Sequence, residues 1–209
     1  MNKIRYLHKL HKLNKRIKVN NLQHIGMGGY GKVYIGYYNS EKVSIKNIEN
    51  MGKICEITNI KKLKESHKHN IIEYKAYYNN NQLVYKYYQY CLFDLDTNIT
   101  INQQKTIILS ILKAIRYLYV NKLQHNDIHE GNILLDEDYN AYLCDFGNTT
   151  RLDINYMEDL TRTLRLFATN KNINIKIKNL LNRLLYNNTL YGVKRIDFVI
   201  NKIRYYNIR

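Results

Sequence analysis

The stretch LQHNDIHEGNILLDEDYNAYLCDFG, residues 123–147, decides the fold of this 209-residue chain. Its apolar runs NILLD and AYLCDFG predict the two short strands of a hairpin. Asp127 precedes the first strand, Asn132 begins it and Asp145 follows the second, so the two carboxylates should emerge at neighbouring strand ends. Phosphoryl transfer needs charge neutralisation and positioning, which two carboxylates and an amide can supply with Mg2+. Taken alone, the same residues also suit two turn aspartates and a bulge asparagine.

A glycine loop lies upstream in IGMGGYGKV, where Gly26, Gly28 and Gly31 have the spacing G-x-G-x-x-G. Glycines at this spacing let backbone N–H groups approach phosphates. A dinucleotide-binding loop would enter a helix, whereas this loop enters the strand-like run KVYIGYY. The pattern therefore predicts a hairpin lid over phosphates. Lys46 follows in VSIK, at the end of the next strand, where its ammonium would point at the α- and β-phosphates; the alternative is one solvated lysine among many.

Composition limits the class of protein. An apolar content of 45% predicts a folded core, and the net charge of +16 allows a nucleic acid, an anionic membrane or an acidic protein as partner. A lysine-rich composition, typical of A/T-rich genomes such as those of some large DNA viruses, explains part of that charge, so no specific nucleic-acid binding is expected. Three scattered cysteines indicate reduced thiols. No apolar run is long enough to span a membrane, which favours a cytoplasmic protein, in the host cytoplasm if the chain is viral.

The order of elements predicts an α+β fold with two lobes, because short β-prone runs come first and helices afterwards. Helical periodicity covers residues 51–66 and the run from Ile107 to Leu118, and further helices are expected near 157–168, 175–186 and 193–203. We place a basic segment at 1–18, a β-rich lobe at 19–87 and a reduced helical lobe at 88–209. The basic segment is either an amphipathic helix for a membrane surface or acidic partner, or an arm packed on the body with a solvated basic face.

The glycine loop, strand lysine, H-x-D-x-x-x-x-N and D-F-G occur in one order, and in this the chain resembles the eukaryotic protein kinases over about residues 22–205. The resemblance implies Mg2+ and ATP as cofactors, with ATP in a cleft between two lobes. Asp127, Lys46 and His129 would be catalytic, and Asn132 and Asp145 would hold the metal. ATP would contact the glycine loop and the strand after it, at Ile25, Gly26, Gly28, Gly29, Gly31 and Val33.

The resemblance also implies a carboxylate partner for Lys46 on a helix of the first lobe. Glu56 is the candidate, and Glu49 and Glu65 remain alternatives because the gap from Lys46 to Glu56 is short. LVYKYY is similar to the hinge of these kinases, with Tyr85 controlling access to the adenine pocket. Backbone groups of Lys86 and Tyr88 would then bind adenine.

The chain departs from the kinase pattern in three places. Asn126 stands where the family has an arginine before the catalytic aspartate, and His129 stands where it has a lysine. No A-P-E motif follows Gly147, and the chain contains no proline. Asp159 would begin the core helix and accept backbone N–H bonds from the catalytic loop, as its counterpart does in the family. Arg195 matches the arginine that normally pairs with the missing A-P-E glutamate.

These motifs predict ATP-dependent phosphoryl transfer to Ser or Thr of a protein substrate by a minimal protein kinase. One alternative is a pseudokinase or decoy that inhibits a host kinase or its partner, which the missing segment favours. Another is a small-molecule kinase, because H-x-D-x-H-x-x-N is also similar to the antibiotic and choline kinases. The basic segment 1–18 is the candidate for binding an acidic or anionic partner.

Overall fold

The computed structural model describes residues 20–28, 31–48, 56, 58, 59, 63, 66–78, 82–95, 99–152, 157–186 and 190–207. They divide into two compact units. The first contains the described residues up to 59 together with Glu73–Tyr87, and the second contains those from 63 to 72 and from Tyr88 onwards. The first unit is built mainly from strands and the second mainly from helices, which confirms the predicted α+β class. The basic segment 1–18, Gly29, Glu49, Glu65 and most of the predicted helix 51–66 lie outside the described residues.

The first unit is a five-stranded antiparallel sheet with the strand order β1-β2-β3-β5-β4. Its strands are β1 (Asn20–Gly28), β2 (Gly31–Tyr38), β3 (Glu41–Ile48), β4 (Tyr74–Tyr78) and β5 (Gln82–Lys86). Val43, Ile45 and Val84 are completely buried and form its core. Val43 and Ile45 alternate along β3, which is the spacing that places side chains on one face of a strand.

The second unit is organised around α1 (Ile101–Val120). Thr100 and Gln103 form a capping box at the start of this helix, which satisfies backbone N–H groups that have no partner within the helix. The predicted stripe from Ile107 to Leu118 is buried along one side of α1. Burial of this stripe confirms the helix that the periodicity predicted and gives the unit its apolar centre.

Three further helices follow among the described residues, namely α2 (Glu158–Thr169), α3 (Ile175–Tyr186) and α4 (Gly192–Arg204). α2 and α4 pack on α1, and α3 packs on α2. Their bounds differ from the predicted ones by no more than one residue at each end. Each helix turns an apolar stripe inwards, and Phe167, Leu181 and Ile196 are completely buried. Among the described residues, no helix combines the length and the apolarity that crossing a membrane requires.

Five short strands of the second unit support the loop that the resemblance identified as the catalytic loop. β6 (Tyr90–Cys91), β8 (Ile133–Leu135) and β9 (Ala141–Leu143) form a three-stranded sheet, and β7 (Leu123–Gln124) pairs with β10 (Thr150–Arg151). β8 and β9 are the predicted hairpin, and their turn is tied by Asp136, which accepts a hydrogen bond from Asn140 N at 2.8 Å. The catalytic loop lies between β7 and β8. Its two ends are therefore fixed by strand pairing.

Candidate active site

Lys46 of the first unit lies on β3, opposite Leu83 of β5. Its Nζ atom is 3.0 Å from Glu56 Oε2, and only 8% of Lys46 and 1% of Glu56 are exposed. Burying an ion pair removes its hydration, which costs free energy. This cost is offset only when the pair has good geometry and makes further hydrogen bonds. The structure therefore brings Lys46 to Glu56, the first of the three carboxylates considered from the sequence.

Tyr85 supplies such a further hydrogen bond. Its hydroxyl donates to Glu56 Oε1 at 2.9 Å, and its ring is buried within β5. The two oxygens of Glu56 thus bind two different strands, Oε2 to β3 and Oε1 to β5. Sequence reasoning assigned Tyr85 only to the entrance of the adenine pocket and missed this contact, because the contact depends on packing between residues that are 29 positions apart.

We predict that Tyr85→Phe lowers the free energy of unfolding by about 1–3 kcal/mol, because a buried carboxylate loses one donor while the ring is retained. Urea unfolding measures this change. Tyr37→Phe is the matched control, since Tyr37 lies in the same sheet with about half of its surface exposed. Equal midpoints for Tyr85→Phe and Tyr37→Phe would show that the hydroxyl does not support Glu56.

The glycine loop has the predicted hairpin geometry. β1 pairs antiparallel with β2, with Gly26 opposite Val33 and Gly28 opposite Gly31. Ile25 also lies on β1. The chain continues from the glycines into a strand and not into a helix, which confirms the distinction drawn from the sequence.

The two predicted hinge residues fall in different units. Lys86 ends β5, where its backbone N–H donates to Glu73 O at 2.9 Å and its carbonyl oxygen accepts from Ser44 Oγ at 3.4 Å. Both backbone groups of Lys86 therefore have hydrogen-bond partners within the first unit. Tyr88 belongs to the second unit, where its ring packs on Tyr142 with 4.5 Å between ring centroids.

In the second unit, Asp127 is held by two amide side chains. Its Oδ2 atom accepts from Asn132 Nδ2 and from Asn148 Nδ2, each at 3.3 Å. Asn132 Nδ2 also donates to the Asp127 carbonyl oxygen at 2.9 Å. The structure therefore brings Asp127 and Asn132 together, and it adds Asn148, which was not predicted from the sequence. The only signal for Asn148 in the sequence was its place directly after D-F-G.

His129 lies beside the other oxygen of Asp127, with 3.9 Å between His129 Nε2 and Asp127 Oδ1. His129 Nδ1 accepts a hydrogen bond from Gly131 N at 3.1 Å. A neutral imidazole that accepts at Nδ1 carries its proton at Nε2, so the donor of this ring faces the carboxylate. Gly131 permits the contact, since a Cβ atom there would lie 3.0 Å from His129 Cε1.

Asp145 stands at the same end of the hairpin as Asn132. Cys144 N donates to Asn132 O at 3.0 Å, which joins the residue before Asp145 to Asn132. Asp145 has a φ of 62°, in the left-handed region that aspartate tolerates better than most residues. Its Oδ1 accepts from Gly147 N at 3.3 Å, and the neighbouring Phe146 is completely buried.

His125 fixes the start of the catalytic loop from the interior. Its Nε2 lies 2.9 Å from Cys144 O, and its Nδ1 accepts from Asp127 N at 3.3 Å. A carbonyl can only accept, so the imidazole is neutral with its proton at Nε2. Burial lowers the pKa of His125, and the opposing carboxylates of Asp159, Asp145 and Asp127 do not cancel this effect.

We predict that stability falls as the pH drops from about 6.5 towards 5. The unfolded chain protonates this histidine near its ordinary pKa of about 6.5, while the folded protein, with its lowered pKa, keeps His125 neutral. Below that pH the unfolded state binds more protons, so the free energy of unfolding falls by up to about 1.4 kcal/mol per pH unit. Urea midpoints between pH 5 and pH 8 measure the slope. His125→Gln should flatten it and the exposed His67→Gln should not; an unchanged slope in His125→Gln would contradict the assignment.

Asp159 of α2 joins the helical core to the catalytic loop. Its Oδ2 accepts from His125 N at 2.6 Å and its Oδ1 from Asn126 N at 3.0 Å. The resemblance implied these hydrogen bonds, in which backbone N–H groups of the catalytic loop donate to the Asp159 carboxylate.

Arg195 of α4 is only 7% exposed. Its Nη2 donates to Leu185 O at 3.3 Å, and its Nε has no hydrogen-bond partner in the described part of the chain.

The side chains near Asp127 have the chemistry that Mg2+ requires. Asn132 donates to Asp127 through Nδ2, so its amide oxygen is the group that could act as a metal ligand, together with the Asp145 carboxylate. The described residues contain no group of three or more His, Cys, Asp or Glu side chains that could hold a metal by themselves. Mg2+ commonly binds one or two carboxylates and completes its shell with water and substrate phosphates. The residues present therefore fit Mg2+ bound together with a nucleotide.

Comparison with known proteins identifies the family of the chain. The family model of the protein kinase domain matches residues 19–186, which is most of the chain. The chain therefore belongs to the protein kinase family, as its motifs indicated.

Individual relatives match about three fifths of the chain. Serine/threonine-protein kinase TAO1-B of Xenopus laevis is 32% identical over 144 residues, 62% of this chain and 14% of the relative. Human serine/threonine-protein kinase TAO3 is 31% identical over 144 residues, 62% of this chain and 16% of the relative. The rice receptor protein kinase WSS1 is 31% identical over 143 residues, 59% of this chain and 16% of the relative. The chain thus corresponds to a small part of these longer proteins.

Proposed function

We propose that this protein transfers the γ-phosphate of ATP to serine or threonine hydroxyls of a protein substrate. The observation that carries the proposal is the arrangement of Asp127, Asn132 and Asp145 at one end of the β8–β9 hairpin, with Oδ2 of Asp127 anchored by two amides. A carboxylate held in this way can orient a hydroxyl and accept its proton. A decoy that only binds a partner has no chemical need for this set of groups.

Each residue of the proposed site has one task. Asp127 Oδ1 accepts the proton of the acceptor hydroxyl, and Nε2–H of His129 donates to an oxygen of the transferred phosphate. Asn132 and Asp145 hold Mg2+, which when bound supplies positive charge against the phosphates. Lys46 binds the α- and β-phosphates, and its pairing with Glu56 at 3.0 Å fixes the position of its ammonium. His129 contributes a hydrogen bond where the family's lysine contributes a full charge.

The nucleotide contacts are proposed from the resemblance to protein kinases. Backbone N–H groups of Gly26, Gly28 and Gly31 would bind phosphate oxygens, while Ile25 and Val33 would cover the adenine. The Lys86 carbonyl and the Tyr88 backbone would bind the adenine edge. Glycine is suited to the phosphate contacts because the absence of a Cβ atom lets the backbone approach.

We predict that Mg-ATP raises the melting temperature of the purified protein, because a ligand that binds only the folded state stabilises that state. At a concentration of 100 times Kd the gain is about 2.7 kcal/mol, which corresponds to a rise of about 5–11 °C in a chain of this size. Differential scanning calorimetry measures the shift, and ATP with excess EDTA is the control. A melting temperature that does not respond to Mg-ATP would contradict the assignment of Lys46, Asn132 and Asp145.

A small-molecule kinase is the second candidate, because the motif H-x-D-x-H-x-x-N around Asp127 and His129 is also similar to that of such kinases. The two candidates differ in the acceptor. The protein should therefore be incubated with Mg-ATP and either a generic basic protein, or choline and aminoglycosides. Phosphoserine or phosphothreonine identified by mass spectrometry is the expected result. Phosphorylation of a small molecule alone would replace the proposal with the second candidate.

A further inference from the structure

We propose that Asn148 is a positioning residue for the Asp127 carboxylate and that Asn126 in turn holds Asn148 in place. This inference rests on the proposed function, since it assigns Asp127 to the acceptor hydroxyl. Asn148 follows D-F-G and lies 21 residues from Asp127. Neither Asn148 nor Asn126 was expected from the sequence to touch the groups that act on the substrate.

The two carboxylate oxygens of Asp127 have different hydrogen-bond partners. Oδ2 accepts from Asn132 Nδ2 and from Asn148 Nδ2, each at 3.3 Å. A carboxylate oxygen offers two lone-pair sites in its plane, so these two amides occupy Oδ2. In the described part of the chain, Oδ1 has one polar neighbour, His129 Nε2 at 3.9 Å. The two amides therefore fix the carboxylate plane and reserve Oδ1 for the acceptor hydroxyl.

Asn126 holds the backbone of Asn148 in place. Asn126 Nδ2 donates to Asn148 O and to Thr150 Oγ1, both at 2.9 Å. Asn126 Oδ1 accepts from Gln124 Nε2 at 2.5 Å. The side-chain amide of Asn126 thus links the strand before the catalytic loop to the segment after D-F-G. The Asn148 backbone is tied down at the point from which its side chain reaches Asp127.

The backbone of Asn126 is engaged as well. Its N–H donates to Asp159 Oδ1 at 3.0 Å, and its carbonyl accepts from Arg162 Nη1 at 3.0 Å. Its φ of 69° lies in the left-handed region, which asparagine adopts more readily than most other residues. An asparagine at position 126 therefore suits both the backbone conformation and the two donated bonds.

The experiment compares Asn148→Ala with wild type in steady-state kinetics of phosphoryl transfer. We expect kcat to fall about 10- to 100-fold, because displacing a catalytic group by about 1 Å has an effect of that order, while KM for ATP stays unchanged. In an Asp127→Ala background, Asn148→Ala should have no further effect, because residues that act as a unit are not additive. Asn126→Gly removes the side chain but permits the positive φ, and it should lower kcat in the same way.

Asn201→Ala is the control, since Asn201 is an exposed asparagine of α4 in the same unit, and it should leave kcat unchanged. A wild-type kcat in Asn148→Ala would overturn the inference while leaving the proposed function intact. A further loss in the Asp127→Ala background would also overturn it, because Asn148 would then act independently of Asp127. Absence of transfer by wild type would instead overturn the proposed function itself.

Discussion

Asp127→Asn should lower the rate of phosphoryl transfer by about 10^2–10^4-fold, which is the contribution of a positioned general base, and should leave the affinity for Mg-ATP unchanged. Asparagine has the shape of aspartate, and its oxygen can take the place of Oδ2, which accepts from Asn132 and Asn148. Its NH2 group then replaces Oδ1 and cannot accept a proton. The substitution therefore removes the base while keeping the loop anchored.

Single-turnover transfer and calorimetric titration with Mg-ATP measure the two quantities separately. Asp138→Asn is the matched control, because Asp138 is an exposed aspartate in the turn of the β8–β9 hairpin. Near-normal turnover in Asp127→Asn would show that the catalytic loop has been assigned incorrectly.

Asp159→Ala should destabilise the protein by about 2–4 kcal/mol, because two backbone N–H groups lose a charged acceptor in a buried setting. These groups belong to His125 and Asn126, which precede Asp127 in the catalytic loop. Their release should also displace Asp127, so kcat should fall in the protein that remains folded. Urea unfolding and steady-state kinetics measure the two effects.

The control for this prediction is Asp197→Ala. Asp197 of α4 pairs with Arg116 of α1 at 2.6 Å, but more than two fifths of each side chain is exposed. Exposed ion pairs contribute about 0–1 kcal/mol, so this substitution should be much milder. Similar losses in Asp159→Ala and Asp197→Ala would mean that Asp159 does not support the loop.

Local patterns predicted the elements that carry the site. The spacing of isoleucines and leucines in α1, and the apolar runs on either side of the turn at Asp136, depend only on near neighbours in the chain. The motif residues Asp127, Asn132 and Asp145 were likewise evident from their spacing, because one hairpin brings them to one end.

Contacts between distant segments could not be predicted in the same way. Three glutamates were candidates for Lys46, and only the packing of the first unit brings Glu56 to 3.0 Å. The Tyr85 hydroxyl and the Asn148 amide were missed because each reaches its partner across more than 20 residues of chain. Because the chain is rich in asparagine, the sequence alone does not distinguish the asparagines that have a structural role from the others.

The central claim is the proposed phosphoryl transfer, which assigns a role to Lys46 in the first unit and to Asp127, Asn132 and Asp145 in the second. The most direct measurement is the incorporation of radiolabelled γ-phosphate from Mg-ATP into a generic basic protein, with wild type and the Lys46→Ala/Asp145→Ala double variant assayed in parallel. We predict time-dependent labelling of serine and threonine by wild type and none above background by the double variant. Equal labelling by both proteins, or no labelling by either, would contradict the claim.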